Sequence, residues 1–269
     1  MIHAKLAAAT VLFALTSTAY AGPITIDLND WTEEAATSAS GNWVIAADGS
    51  AVTQTINGNP AIFYSDFDAF GTEASGTIRA NTSGAGGDDD FIGFVLGYQP
   101  GDAVSPTAEY LLIDWKRGTQ SHNFWDVNSE PGGTALRGLA VSRVTGAASP
   151  DELWQHTTLT PGNGVTELAR AASLGSTGWV FDTDYEFSFD YGPSNLVISV
   201  NGVEQFNLGG SFGDGSMGFY SFSQASVSYS AFDVDEGSFS VPEPAPLLLL
   251  ATGVLGLGLR RRKQTLPLK

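Results

Sequence analysis

The 269 residues carry 29 acidic against 12 basic side chains, a formal net charge of −17, and no cysteine. That charge repels phosphate backbones and excludes general nucleic-acid binding. The lack of thiols excludes a disulfide framework, a thiolate zinc cluster, an iron–sulfur site and a cysteine nucleophile. The charge is also unevenly spread: residues 22–241 hold 28 of the acids against six cations, a net of −22. With 42% hydrophobic and 11% aromatic residues, the chain can build a core.

In chain order, residues 1–21 read as an export signal. Lys5 supplies a positive start, Leu6 to Leu15 an apolar run, and Ala19-Tyr20-Ala21 a small-x-small cleavage site. The mature chain is expected to begin at Gly22.

The next 220 or so residues have the length of one large all-β domain. Short β-branched and aromatic runs are separated by Gly, Asn, Asp, Ser and Pro. Trp43–Ala46, Ala51–Ile56, Ala61–Ser65, Thr77–Asn81, Phe91–Tyr98, Tyr110–Lys116 and Gly138–Val144 read as strands. So do Tyr185–Tyr191, Leu196–Val200, Gly218–Phe222 and Val227–Val234. The alternation in Phe187-Ser188-Phe189-Asp190-Tyr191 puts three aromatics on one face and two polar groups on the other. Asn57-Gly58 and Asn201-Gly202 are hairpin signals, the second joining Leu196–Val200 to Val203–Phe206. Helix is expected at most over Thr166–Ser173 and Pro150–Gln155. Many short strands with turn signals point to a two-sheet sandwich or jelly roll.

The C-terminal segment is apolar from Ala245 to Leu259 and ends in Arg260-Arg261-Arg262-Lys263. As a helix it would be ~22 Å long, short for a ~30 Å hydrocarbon core, with the basic cluster held on the cytoplasmic side. Val241-Pro242-Glu243-Pro244, then an apolar run, then basic residues, resembles the PEP-CTERM sorting signal of Gram-negative bacteria. The resemblance covers residues 241–263 and implies processing by an exosortase, a membrane enzyme for which Pro242, Glu243 and Pro244 would be substrate. It implies a protein delivered to the cell surface or extracellular matrix, transiently anchored in the inner membrane, with residues 264–269 as a cytoplasmic tail.

Catalytic patterns are sparse. The G-x-S-x-G elbow and the phosphate-binding G-x-x-x-x-G-K-[ST] loop are absent. Only His122 and His156 lie in the body, so a Ser-His-Asp site would need one of them. His122 reads as a surface imidazole. No E-x-D-x-E strand of the kind used by sandwich-fold glycosidases exists, and Glu109, Asp114 and Asp233-Val234-Asp235-Glu236 have other spacings. Unrelated spatial pairs of acids leave a sugar-active enzyme as an alternative.

The sharpest feature is Gly86-Gly87-Asp88-Asp89-Asp90-Phe91. Three adjacent carboxylates raise one another's pKa unless solvent or a cation neutralises them. They run into Phe91–Leu96, an apolar run expected to be a buried strand. A hard cation such as Ca²⁺, which takes six to eight oxygens, is one reading; an exposed acidic turn is the other. Strand alternation would send Asp88 and Asp90 one way and Asp89 the other.

Residues 87–99 resemble the D-D-D-[FY]-x-G-F-V-F-G-Y-Q segment of the thrombospondin C-terminal domain. Further pieces follow in that family's order: Trp115-Lys116, Thr119-Gln120 with Trp125-Asp126-Val127-Asn128, Gly138-Leu139-Ala140-Val141, Leu153-Trp154, Gly178-Trp179 and Gly218 to Gln224. The resemblance covers residues 75–234 and implies a concanavalin A-like, lectin-like β-sandwich that binds calcium and serves adhesion. On it, residues 22–240 form one domain. Asp88, Asp89 and Asp90 become the metal candidates, Asp126 and Asn128 form a second group, and His156 becomes a strand or loop residue. No D-x-D-x-D-G array precedes Trp43, so ion sites shared with such repeats are not expected. Extracellular polysaccharide or a surface glycan is the expected ligand, a purely structural surface protein the remaining alternative.

Overall fold

The computed structural model describes residues 24–35, 41–82, 88–125 and 132–235. Two antiparallel sheets account for nearly all of them. Sheet I runs β15 (Val203–Gly209), β14 (Asn195–Val200), β13 (Tyr185–Tyr191), β6 (Thr72–Ala80), β17 (Val227–Asp235), β4 (Ala51–Gln54) and β3 (Trp43–Ile45), with β1 (Ile24–Thr25) on β17. Sheet II runs β12 (Gly164–Arg170), β11 (Gly138–Thr145), β8 (Glu109–Lys116), β7 (Phe91–Tyr98), β16 (Ser216–Phe222), β5 (Ala61–Tyr64) and β2 (Thr32–Ala35). A small ribbon pairs β9 (Gln120–His122) with β10 (Gly133–Ala135), and one helix, α1, spans Pro150–Gln155. The expected lectin-like sandwich is therefore the fold.

The main core lies between the sheets. Phe187, Phe189 and Tyr191 point into it from β13, while Ser188 and Asp190 point out, as the alternation requires. Phe94 on β7 meets Phe187 and Phe189 at ring separations of 5.0 and 4.9 Å. In β17 the register shifts between Ser230 and Asp233, with Ala231 in the left-handed region at φ 55°. The bulge turns Phe232 inward over Gly76, where a Cβ would sit 2.4 Å from the ring.

A second core explains why β7 is buried at every residue. Phe91, Val95 and Tyr98 face away from the first core and are covered by Leu153 and Trp154 of α1, with Phe124 packed alongside. Sheet II is thus enclosed on both faces, which is why β7 reads as a continuous apolar run rather than an alternating one. The helix begins with a capping box: Ser149 accepts from Glu152 N–H, and the Glu152 carboxylate accepts from Ser149 N–H.

Two local expectations change. Thr166–Ser173 does not form a helix; most of it lies in β12, where pairing with β11 outweighs a run of good helix formers. Asn57-Gly58 is not a hairpin, because β4 belongs to sheet I and β5 to sheet II and the segment crosses between them. Asn201-Gly202 does turn a hairpin, with φ 51° and 72°. The short strands β1, β2, β9 and β10 had no usable signal. The signal peptide, Ala19, Ala21, Asp126, Asn128 and the segment with Pro242, Glu243, Pro244 and Arg260–Lys263 lie outside the described residues. Among the described residues no helix is long and apolar enough to cross a membrane.

Candidate metal centre

The aspartate run sits where the chain enters β7. One carboxylate oxygen from each of Asp88, Asp89 and Asp90 lies within 4.8 Å of the others. Their surroundings differ sharply. Asp90 is buried, and its Oδ1 is 2.6 Å from Nζ of Lys116, which is fully buried. Register explains the meeting: Lys116 ends β8 directly opposite Phe91, so its side chain reaches back to the residue before the strand. The same ammonium donates to Asp89 O at 3.0 Å and to Gln120 Oε1 at 3.1 Å, and lies 3.5 Å from Asp89 Oδ1. Its fourth neighbour is the Trp154 ring, 4.5 Å from Nζ, a cation–π contact in a desolvated site.

The Asp90 backbone is held as firmly. Its N–H donates to Gln224 Oε1 at 3.1 Å, and its carbonyl accepts from Trp179 Nε1 at 3.0 Å. The scattered sequence pieces Trp115-Lys116, Thr119-Gln120, Leu153-Trp154, Gly178-Trp179 and Ser223-Gln224 therefore converge on one ion pair. Lys116, Gln120, Trp154, Trp179 and Gln224 are residues whose roles the sequence reading missed. Lys116 carried a signal: a lysine at an outward-alternating position of a strand otherwise buried.

Asp88 and Asp89 face a more open setting. Asp88 Oδ2 accepts from the Asn57 side-chain amide, Oδ1 accepts from Asp89 N–H at 3.1 Å, and the Asp88 carbonyl accepts from Arg117 Nη1 at 3.3 Å. Burial first, then the Asp90 carboxyl group, push the Asp88 carboxyl up to about 7. Asp89 projects over Gly118, where a Cβ would lie 1.9 Å from its Oδ2, so a larger residue there would turn the carboxylate aside. The donor set of Asp88 and Asp89 is all oxygen and suits a hard cation. Asp90 has one oxygen committed to Lys116, so the three aspartates are not equivalent.

His156 lies beside two carboxylates and a serine hydroxyl. It caps α1 in the left-handed region at φ 51°. Its Nε2 is 2.9 Å from Asp114 Oδ2, and its Nδ1 is 3.3 Å from Glu167 Oε2 and 3.4 Å from Ser142 Oγ. This has the composition of a catalytic triad but not the chemistry. Burial opposes the imidazolium, yet Asp114 and then Glu167 outweigh it and hold the pKa up to about 9. A charged ring donating to carboxylates at both ends cannot accept a proton from Ser142, and Ser142 and Asp114 are fully buried.

Among the described residues, two cavities of several hundred Å³ open on the surface. One, of about 410 Å³, lies on the outer face of sheet I among Glu73, Glu186, Asp190, Asp233 and Asp235, with Ser75, Ser188 and Ser199 between them. Asp235, Glu73 and Asp190 stand opposite one another across β17, β6 and β13. The second, of about 590 Å³, is formed by the β9–β10 ribbon and includes Trp125.

Residues 38–236 match the thrombospondin C-terminal region, and residues 240–263 match the PEP-CTERM protein-sorting motif. Human thrombospondin-2 is 30% identical over 204 residues, covering 70% of this chain and 16% of its own. Rat cartilage oligomeric matrix protein is 27% identical over 202 residues, covering 69% of this chain and 24% of its own. The chain thus spans less than a quarter of these relatives' length. A carbohydrate-binding module, CBM66 from Bacillus subtilis, superposes with a TM-score of 0.50 at 9% identity, covering 77% of this chain and 95% of its own. The exoplasmic/lumenal domain of VIP36, solved with calcium and mannose, gives 0.46 at 11% identity, covering 80% and 85%.

Proposed function

The chain belongs to the thrombospondin C-terminal region family, and from that premise we propose a non-enzymatic, lectin-like adhesion or matrix module braced by calcium at Asp88, Asp89 and Asp90. The PEP-CTERM motif implies export and surface sorting in Gram-negative bacteria. Recognition of Pro242, Glu243 and Pro244 by an exosortase, with transient anchoring through the segment before Arg260, Arg261, Arg262 and Lys263, completes the proposal. So do cleavage after Ala19-Tyr20-Ala21 and a single domain over residues 22–240. The ligand is an extracellular polysaccharide or surface glycan.

The observation that carries the reading is the convergence of the family's motifs on Asp90. They are spent on fixing the backbone and one carboxylate of the aspartate run, which leaves Asp88 and Asp89 presented with a surplus of negative charge. Calcium, when bound, would supply the positive charge that Asp88 lacks. Asp126 and Asn128 are proposed as a second donor pair.

Thermal unfolding with calcium and with a chelator tests the metal; an unchanged midpoint removes it. A glycan array probed in calcium tests the ligand, and a blank array favours a purely structural surface protein. The carboxylate-lined cavity on sheet I favours a second reading, a sugar-active enzyme. Release of reducing ends from polysaccharide, lost on Glu73→Gln or Asp190→Asn, would establish it.

A further inference from the structure

Tryptophan is on average a well-buried residue, and five of the six here are at most 9% exposed: Trp31, Trp43, Trp115, Trp154 and Trp179. Trp125 is 84% exposed. It also sits in the left-handed region at φ 60°, a conformation that costs a bulky residue energy. The turn is held by Asn123, whose Oδ1 accepts from Trp125 N–H at 2.7 Å. Beneath it, Phe124 is anchored by its N–H to Asp151 Oδ1 at 3.0 Å and by ring contacts with Phe222 and Trp154 at 4.9 and 5.3 Å. The loop therefore plants Phe124 in the core and turns the adjacent indole outward on a rigid base.

The indole borders the 590 Å³ cavity together with Ser121, His122, Asn123, Gly132, Gly133 and Thr134. Ser121 and Thr134 hydroxyls face each other across the ribbon at 2.7 Å, and each retains further hydrogen-bonding capacity. Gly132 is required by close packing, since a Cβ there would lie 2.4 Å from His122 O, while one on Gly133 would displace the end of the Gln155 side chain. An aromatic plate beside hydroxyl, amide and imidazole groups matches a pyranose, which offers a C–H face for stacking and a rim of hydroxyls.

We infer that Trp125 and the β9–β10 ribbon form a stacking site for a neutral hexose unit of a glycan. The inference deepens the lectin reading proposed above and rests on it. Neutrality follows from charge: among the described residues no Lys or Arg lines the cavity, none stands in sequence between Trp125 and Gly132 to pair with a sugar carboxylate or sulfate, and the body's −22 repels such groups. The site shares no residue with the aspartate run.

Because the other five indoles are buried, acrylamide should quench mainly Trp125 in the full-length protein. Cellotriose, mannotriose and galactotriose serve as neutral probes, trigalacturonate as the anionic one. At least one neutral trisaccharide should protect Trp125 from acrylamide, and trigalacturonate should not. By calorimetry, Trp125→Ala should weaken that sugar at least tenfold and Trp125→Phe less, with thermal midpoints unchanged. Binding that survives Trp125→Ala overturns the site while leaving the lectin reading intact. Protection by trigalacturonate alone overturns neutrality. If none of the four sugars binds the wild-type protein, and a glycan array is blank, the lectin reading falls and takes this site with it.

Discussion

Lys116 Nζ lies 2.6 Å from Asp90 Oδ1, and the two side chains are 0% and 3% exposed. The pair closes the seam where β7 begins and β8 ends, and it splits the aspartate run in two. Asp90 is buried with Lys116, while Asp88 and Asp89 are only partly buried and Asp89 Oδ1 lies 3.5 Å from the same ammonium.

Breaking that pair on one side should be costly, because it strands a buried charge. Lys116→Met and Asp90→Asn are each expected to destabilise by about 3–5 kcal/mol. The double variant Lys116→Met with Asp90→Asn should recover part of the loss. Urea unfolding of the three variants at neutral pH measures the coupling, and additive losses would show that the two groups act independently.

Calcium affinity should follow Asp88 and Asp89. Without them the calcium-induced rise in midpoint should vanish, whereas at a calcium concentration of 100 times Kd the native protein should gain about 2.7 kcal/mol. Asp88→Asn with Asp89→Asn is the deciding variant. Asp126→Asn should remove a smaller part of the shift, and no change there discards the second donor pair.

Gly118→Ala separates geometry from charge. The new methyl group would meet Asp89 Oδ2, the far end of a side chain that can rotate away. Stability should fall by less than about 1 kcal/mol while calcium affinity drops severalfold, as read by titration calorimetry. A large stability loss with unchanged affinity would refute the assignment of Asp89.

The His156 cluster predicts alkaline sensitivity. Its pKa is raised from 6.5 to about 9 in the folded chain by Asp114 and Glu167, against the opposing effect of burial. A raised folded value stabilises fully below 6.5 and loses that contribution as pH climbs through about 9, of order 3 kcal/mol in all. Thermal midpoints between pH 6 and 10 should decline with this profile, and His156→Gln should flatten it.

Much of the fold was legible because its cause is local. The alternating Phe187–Tyr191, the run Phe91–Tyr98 and the Asn201-Gly202 turn each carry their geometry in adjacent residues. Thr166–Ser173 misled because helix propensity is weak beside pairing with a neighbouring strand, and Asn57-Gly58 because a turn signal does not say which sheet the chain enters next. Within the site, the aspartates were visible as a charge cluster, but Lys116, Trp179 and Gln224 come from strands and loops distant in sequence.

By itself, then, the sequence determined the class of the domain, its sorting motif and the identity of the acidic cluster, all properties of contiguous residues. Only the tertiary structure decided which carboxylate is neutralised from within, that His156 is a clamped cation rather than a base, and that Trp125 alone among six tryptophans faces solvent. Those outcomes depend on strand register and on the second core over sheet II, where burial raises the energy of every unpaired charge and so dictates which partners must meet.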